Sequence, residues 1–364
     1  MLVNRFFVFF IMKIVCVIGS IGIGGGAERV MSHLCNYFAE NHAVVYLALA
    51  KCTGKQYFLK EQVKLYNGIN YKNKISAIFA LRKILLAEKP DIIISFLTQV
   101  NISVLLATRF TNIPVIVSDR GDLSVKNKLR KYLRLCLYPK AAGIVFQTKD
   151  ARNFFKGRIR EKSIVIPNPV FVSENLLHST ILERKKEIVS VGRLDYQKNH
   201  EMTINAFARL YSKYPQYVLS IYGYGALREK LQQLISTLGL EKSVILCGNK
   251  PDLHERIKDA QLFVMSSRWE GMPNALMEAM ALGLPCISTD CPVGAPRELI
   301  QDGINGILIP NEDQKALEER MDYLLSNIED ANRMGEKAKE IQNEYSVEKI
   351  SKIWESYILS KVKG

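Results

Sequence analysis

Short apolar, β-branched runs alternate with segments of helical period along almost the whole chain, and near the middle the alternation starts afresh. In the first half the strand-like runs are 14–18, 43–49, 92–96, 115–118, 143–146 and 163–167. Amphipathic stretches such as 27–39 and 75–87 lie between them. In the second half the runs are 187–191, 218–222, 244–246, 262–265, 286–288 and 307–309, with helical segments at 199–211, 227–238, 275–282 and 315–325. Strands that are apolar throughout, rather than on alternate residues, are covered on both faces. Alternation with helices then predicts parallel sheets.

The break falls near 168–178, after the turn Pro167-Asn168-Pro169, and 364 residues exceed the usual size of one domain. The prediction is an α/β chain of two doubly wound, Rossmann-like domains facing across a cleft, residues 1–172 and 173–345. A tail, 346–364, is helical in period and is expected to pack back on the first domain. Ligands of such sheets sit at the carboxyl ends of the strands.

Charge separates the halves. Residues 1–172 carry 26 Lys and Arg against 9 Asp and Glu; residues 173–364 carry 24 against 27. A basic half suits nucleic acid, an anionic membrane or a phosphorylated substrate, and also an ordinary solvated surface. The seven cysteines are scattered with no CxxC pair, which speaks against a disulfide framework and against zinc and fits a reducing compartment. The opening MLVNRFFVFFIMKIVCVIGS has the look of a signal peptide, but Lys13 interrupts it and no clean cleavage site follows. MKIVCVIG reads as a buried first strand, leaving residues 1–11 as an unstructured extension, with Met12 a natural start; a weak membrane anchor is the alternative.

Three constellations carry chemistry. Gly22, Gly24 and Ala27 satisfy G-x-G-x-x-[G/A] directly after the first strand. A dinucleotide site also wants an acid ending the second strand, where this chain has Lys51; that counts against NAD and leaves NADP open. Gly24, Gly25 and Gly26 still permit close approach of an anion to the helix start that follows. The second constellation is Gly192-Arg193-Leu194-Asp195-Tyr196-Gln197-Lys198-Asn199, again after the first strand of its domain. An arginine fork at Arg193 and a point charge at Lys198 suit two phosphates.

The third is Arg268-Trp269-Glu270-Gly271-Met272-Pro273-Asn274-Ala275-Leu276-Met277-Glu278. Pro273 cannot stand inside a helix, so Glu270 lies in a loop. Asn274 is a plausible N-cap, with the helix over 275–282 closed by Gly283 and Pro285. Glu278 is then about one turn inside. The two acids bracket a helix start whose amides, over Gly271 to Ala275, suit a phosphate. Acids beside a phosphate need other donors, and sugar and ribose hydroxyls supply them. Helix-dipole compensation is the plainer reading of either acid.

No DxD motif is present to hold a metal on a diphosphate. His33, His42, His178, His200 and His254 have neither metal-ligand spacing nor a serine partner and read as helix or surface residues. A bound diphosphate would therefore be offset by Arg193, Lys198 and helix amides, with no metal and no cofactor.

Taken together these motifs resemble the retaining GT-B glycosyltransferases of glycosyltransferase family 4. Gly24-Gly25-Gly26-Ala27-Glu28-Arg29 resembles the family's GGAE-type loop. Gly192-Arg193 with Lys198-Asn199 resembles its GR…KN element, and Glu270 with Glu278 its E-x7-E motif. The resemblance spans essentially the whole chain. It implies that Arg193 and Lys198 hold the donor diphosphate, that Glu278 accepts from the ribose and that Glu270 contacts the transferred sugar, beside the Gly271–Ala275 amides. Asn249 and Lys250 would meet the base, and the glycine loop would close on the diphosphate. Retention is implied as well, with a front-face path in which the leaving phosphate takes the acceptor's proton.

Two departures stand out. Gly223-Tyr224-Gly225 replaces a Gly-acid-Gly element, and Ser118-Asp119-Arg120-Gly121-Asp122 stands where many members carry a histidine. Asp119 or Arg120 would then contact the sugar or the acceptor.

Lys126, Arg130 and Arg134 recur at i, i+4 and i+8 and share one helical face. That face suits a lipid-linked pyrophosphate acceptor and an anionic inner-membrane surface, or simply solvent. The reading that follows is a peripheral cytoplasmic enzyme. It would move a hexose or N-acetylhexosamine from a nucleotide sugar, UDP-linked, to a lipid-linked glycan of capsule, O-antigen or glycoprotein assembly. The alternatives are an NADP-dependent oxidoreductase and a nucleic-acid-binding protein. The latter lacks interleaved aromatics and a reader motif, so no nucleic acid is expected as partner.

Overall fold

The computed structural model describes residues 11–120, 127–177 and 183–362. Thirteen strands among them form two wholly parallel sheets. The first sheet contains β1 (Lys13–Ile18), β2 (Ala43–Ala48), β3 (Lys64–Asn67), β4 (Ile92–Phe96), β5 (Val115–Asp119), β6 (Gly143–Phe146) and β7 (Ser163–Val165), in the order β3-β2-β1-β4-β5-β6-β7. The second contains β8 (Lys185–Val191), β9 (Val218–Tyr222), β10 (Val244–Gly248), β11 (Ala260–Met265), β12 (Cys286–Thr289) and β13 (Ile307–Ile309), in the order β10-β9-β8-β11-β12-β13. Both orders reverse beside the first strand of their sheet. The reversal lies between β1 and β4 in one and between β8 and β11 in the other, which is where doubly wound sheets bind ligands.

The chain divides into two compact units. One comprises residues up to Pro167 together with Ile350–Gly364, the other Asn168–Lys349. The first boundary lies a few residues before the expected 172 because residues 168–171 belong to the second unit's core. Asn168 Nδ2 donates to Asn274 Oδ1 at 2.7 Å, and the Val170 amide donates to the Tyr345 carbonyl at 2.8 Å. The last helix, Val347–Val362, packs on the first unit. Trp354 is fully buried with its ring 5.6 Å from Phe96, and Tyr37 donates to Glu355 at 3.3 Å.

Each sheet is apolar on both faces for the reason its sequence suggested. Val15, Cys16, Val17 and Ile18 of β1 and Leu262, Phe263 and Val264 of β11 are all fully buried. In the second unit one core cluster centres on Ile188, Leu219, Leu262 and Phe207, and the other on Val189, Phe263, Met277 and Met280. The second cluster seats the helix Asn274–Ala281 against the sheet and so fixes where Glu278 points. At about 25 cal/mol per Å², each such buried side chain stabilises by roughly 1.5–3 kcal/mol, which holds the strand ends rigidly.

Candidate active site

The motifs of the second half meet because β8 and β11 are neighbours. Gly192–Asn199 leaves the carboxyl end of β8, and Ser266–Pro273 leaves that of β11. The loops are stitched together: the Arg268 amide donates to the Gln197 carbonyl at 2.8 Å, and Gln197 Nε2 donates to the Trp269 carbonyl at 2.9 Å. Gly223, in the loop after β9, lies against the first of these loops. A Cβ there would stand 2.0 Å from the Gly192 carbonyl oxygen, so the glycine is required by close backbone approach, while Tyr224 is 67% exposed and free to vary.

Glu270 is buried in its loop, and two donors converge on Oε1: Lys198 Nζ at 2.5 Å and Ser267 Oγ at 2.7 Å. Its own amide donates to Pro292 and its carbonyl accepts from Val293, so backbone and carboxylate are both pinned. Lys198 is 14% exposed, whereas Arg193 is 64% exposed, with Asp195 at 3.2 Å and Gln197 at 3.0 Å. Behind them His200 is 3% exposed, its Nδ1 3.2 Å from Ser190 Oγ. Burial, seconded by the Lys198 charge, pushes its pKa down to about 4, so the imidazole is neutral at ordinary pH.

The helix that carries Glu278 begins at Asn274, one residue earlier than the sequence suggested, with Pro273 in the cap position. Asn274 is not its cap: its side chain is used by Asn168, and no side chain caps this helix. The first-turn amides are therefore uncapped by protein side chains. Glu278, in the second turn, is 5% exposed, and its Oε2 lies 2.9 Å from His254 Nε2. His254 stands on a short helix, Leu253–Ile257, that follows the exposed Asn249 and Lys250 at the end of β10. Sequence reasoning passed over His254; 24 residues separate it from Glu278, and no spacing rule links them.

In the first unit the structure corrects three expectations. Asp119 is sealed: its side chain is 0% exposed and accepts from Thr98 at 2.8 Å, Tyr138 at 3.1 Å and Arg134 at 3.3 Å. A carboxylate with those donors and no exposure does not touch a sugar. Arg134 does not join a basic outer face; it turns inward, 1% exposed, because the buried Asp119 needs a cation. Arg120 is also mostly buried. Its guanidinium lies 3.7 Å over the Phe96 ring and its Nε donates to Ser118 at 3.1 Å, a placement that does not support contact with the acceptor. Burial lowers its pKa to about 9, and the nearby Glu28 charge offsets part of that.

Lys126 lies outside the described residues. Arg130 is half-buried on the helix Lys128–Leu137, whose exposed positions include Leu129, Tyr132 and Leu135.

The glycine loop leads into the helix Gly26–Phe38, with Gly25 at its cap position. A Cβ on Gly25 would stand 1.9 Å from Glu28 Oε2, which shows that the flexible end of Glu28 folds back over the helix start. Burial raises the Glu28 pKa, while its own backbone amide and Arg120 lower it in part.

Residues 174–341 match the family of glycosyl transferases group 1, and residues 24–174 match Glycosyltransferase Family 4. A curated relative from Campylobacter jejuni is 30% identical over 281 residues, 72% of this chain and 75% of its own length. It is the N-acetylgalactosamine-N,N'-diacetylbacillosaminyl-diphospho-undecaprenol 4-alpha-N-acetylgalactosaminyltransferase. The chain is a GT-B glycosyltransferase of the group 1 and family 4 type. A second Campylobacter jejuni enzyme, 26% identical over 94% of this chain and 97% of its own, is an alpha-1,4-N-acetyl-D-galactosaminyltransferase acting on a GalNAc-GalNAc-diNAcBac-PP-undecaprenol.

Among solved structures, HepE of Anabaena in complex with UDP superposes on the glycosyltransferase with a TM-score of 0.80. Identity is 16%, and the match covers 96% of this chain and 100% of HepE; the likeness is one of fold. The oxidoreductase and nucleic-acid alternatives are set aside. Among the described residues of the glycosyltransferase no helix is long and apolar enough to cross a membrane, and no three His, Cys, Asp or Glu side chains form a metal-sized group.

Proposed function

We propose that this glycosyltransferase moves a hexose or N-acetylhexosamine, with retention and without a metal, from a UDP-sugar to a lipid-linked glycan. Capsule, O-antigen or glycoprotein-glycan assembly is the setting. The observation that carries the donor half is the pair of buried acids, Glu270 held by Lys198 and Glu278 held by His254, on either side of a helix start that no side chain caps. In this reading the diphosphate lies at the amides of Gly271, Met272, Pro273's successor Asn274 and Ala275. Lys198 and the exposed Arg193 neutralise it. Glu278 accepts from the ribose, Asn249 and Lys250 border the base, and Glu270 accepts from the transferred sugar.

The chemistry needs no protein base. The bond from the sugar's anomeric carbon to the diphosphate breaks, a bond to the acceptor oxygen forms on the same face, and the acceptor's proton passes to the leaving phosphate. The chain's part is to fix the sugar and offset the charge that grows on the diphosphate. The acceptor half rests on the Campylobacter jejuni relatives, which act on undecaprenol-linked glycans. An association with the inner face of the cell membrane is supported by the outward Leu129, Tyr132 and Leu135 beside Lys128 and Lys131.

The test is transfer from a panel of UDP-sugars to a polyprenyl-diphosphate glycan, read by mass spectrometry with EDTA present. Product with one UDP-hexose or UDP-N-acetylhexosamine and an unchanged anomeric configuration is expected. Loss of all transfer in EDTA contradicts the metal-free reading.

A further inference from the structure

Nothing read from the sequence gave His254 a role, yet its ring is held directly against Oε2 of the Glu278 carboxylate. The contact is short, 2.9 Å, between groups that are 19% and 7% exposed, so little water competes for it. It also joins two elements. Glu278 rides on the helix after β11, whereas His254 rides on the helix after β10. The segment that supplies His254 is therefore continuous with Asn249 and Lys250, the proposed border of the base. A carboxylate that recognises a vicinal diol needs its lone pairs aimed at two hydroxyls at once. Each contact that limits rotation about its last bond helps to keep that aim.

We propose that His254 is a positioning residue for nucleoside recognition. By anchoring Oε2 of Glu278 it sets the carboxylate for the ribose diol and ties that geometry to the loop beside the base. The inference rests on the reading that places Glu278 at the ribose, and the experiment separates the two.

Binding of UDP and of 2′-deoxy-UDP to the full chain is measured by calorimetry for the parent, His254→Ala, His254→Gln and Glu278→Ala, with melting temperatures recorded alongside. The parent is expected to prefer UDP. Glu278→Ala should lose that preference. His254→Ala should bind UDP about tenfold more weakly and show a much smaller preference, because one hydrogen bond to a charged group is lost. His254→Gln, whose amide can still donate, should recover part of both. At saturating UDP-sugar, His254→Ala should turn over at close to the parental kcat, since the defect lies in KM.

Parental affinity and preference in His254→Ala, with both lost in Glu278→Ala, overturns the role of His254 and leaves the ribose reading standing. Equal weakening for both nucleotides, with the preference intact, also overturns it, since that is what a purely structural contact gives. Unchanged binding in Glu278→Ala overturns the ribose reading itself, and with it the proposal. Absence of UDP binding by the parent overturns the choice of nucleotide on which both rest.

Discussion

Asp119 with Arg134 in one unit, and Glu270 with Lys198 in the other, are the same chemistry at the same kind of place, at or just past the carboxyl end of a parallel strand. Their surroundings differ. The first pair is closed off, at 0% and 1% exposure, and Thr98 and Tyr138 also donate to the acid. The second keeps 7% and 14%, lies in loops at the switch point between β8 and β11, and adjoins an uncapped helix start. A strand-end position marks a carboxylate as a candidate; residual access and unfilled neighbouring amides decide whether it meets a ligand. The sealed pair should behave as structure and the open pair as machinery.

The largest effect is expected where the sealed pair is broken. Asp119→Ala leaves a cation buried without its acid and should cost about 3–5 kcal/mol in denaturant unfolding. The double variant Asp119→Leu/Arg134→Leu, which removes both charges, should recover much of that loss. A single variant as stable as the parent would show that the pair is not sealed.

Next comes a pH effect behind the open pair. His200 has a folded pKa lowered to about 4 from an ordinary 6.5. Below 6.5 the unfolded chain takes up a proton that the folded chain refuses. Stability from this group is therefore complete above 6.5 and lost progressively down to about 4, on the order of 3 kcal/mol in all. Unfolding free energy measured across that window should fall less steeply in His200→Asn. The surface-exposed His33, also lowered to about 4, adds at most a small remaining slope in both proteins, because solvent screens it.

The smallest effect is expected at the surface of the helix Lys128–Leu137. Leu129→Glu with Tyr132→Glu should change stability by no more than about 0.5 kcal/mol. The same variant should lower retention on vesicles containing anionic lipid. Unaltered retention would remove that face from the membrane reading.

Most of the fold was legible because apolar runs and helical periods report burial directly. The exception among the strands, β3, is an edge strand whose Lys64 and Leu65 are exposed, so its composition carries no core signal. The site of the second unit was legible wherever local chemistry dictates local geometry: Pro273 places Glu270 outside the helix and Glu278 within it. What could not be read were directions and distant partners. The i, i+4, i+8 spacing put Arg134 on a face, but only the fold shows that Asp119 draws it inward. Asn274 has a capping residue's chemistry, yet Asn168 claims its side chain. His254 became visible only when the fold brought the short helix after β10 against the helix that carries Glu278.

Whether Glu270 serves the donor site or is only a buried support is tested most directly by Glu270→Gln. Steady-state transfer should show kcat reduced by about 100- to 1000-fold, with UDP affinity and melting temperature close to those of the parent. Parental kcat in a folded Glu270→Gln protein would show that Glu270 is a buried support and not part of the donor site.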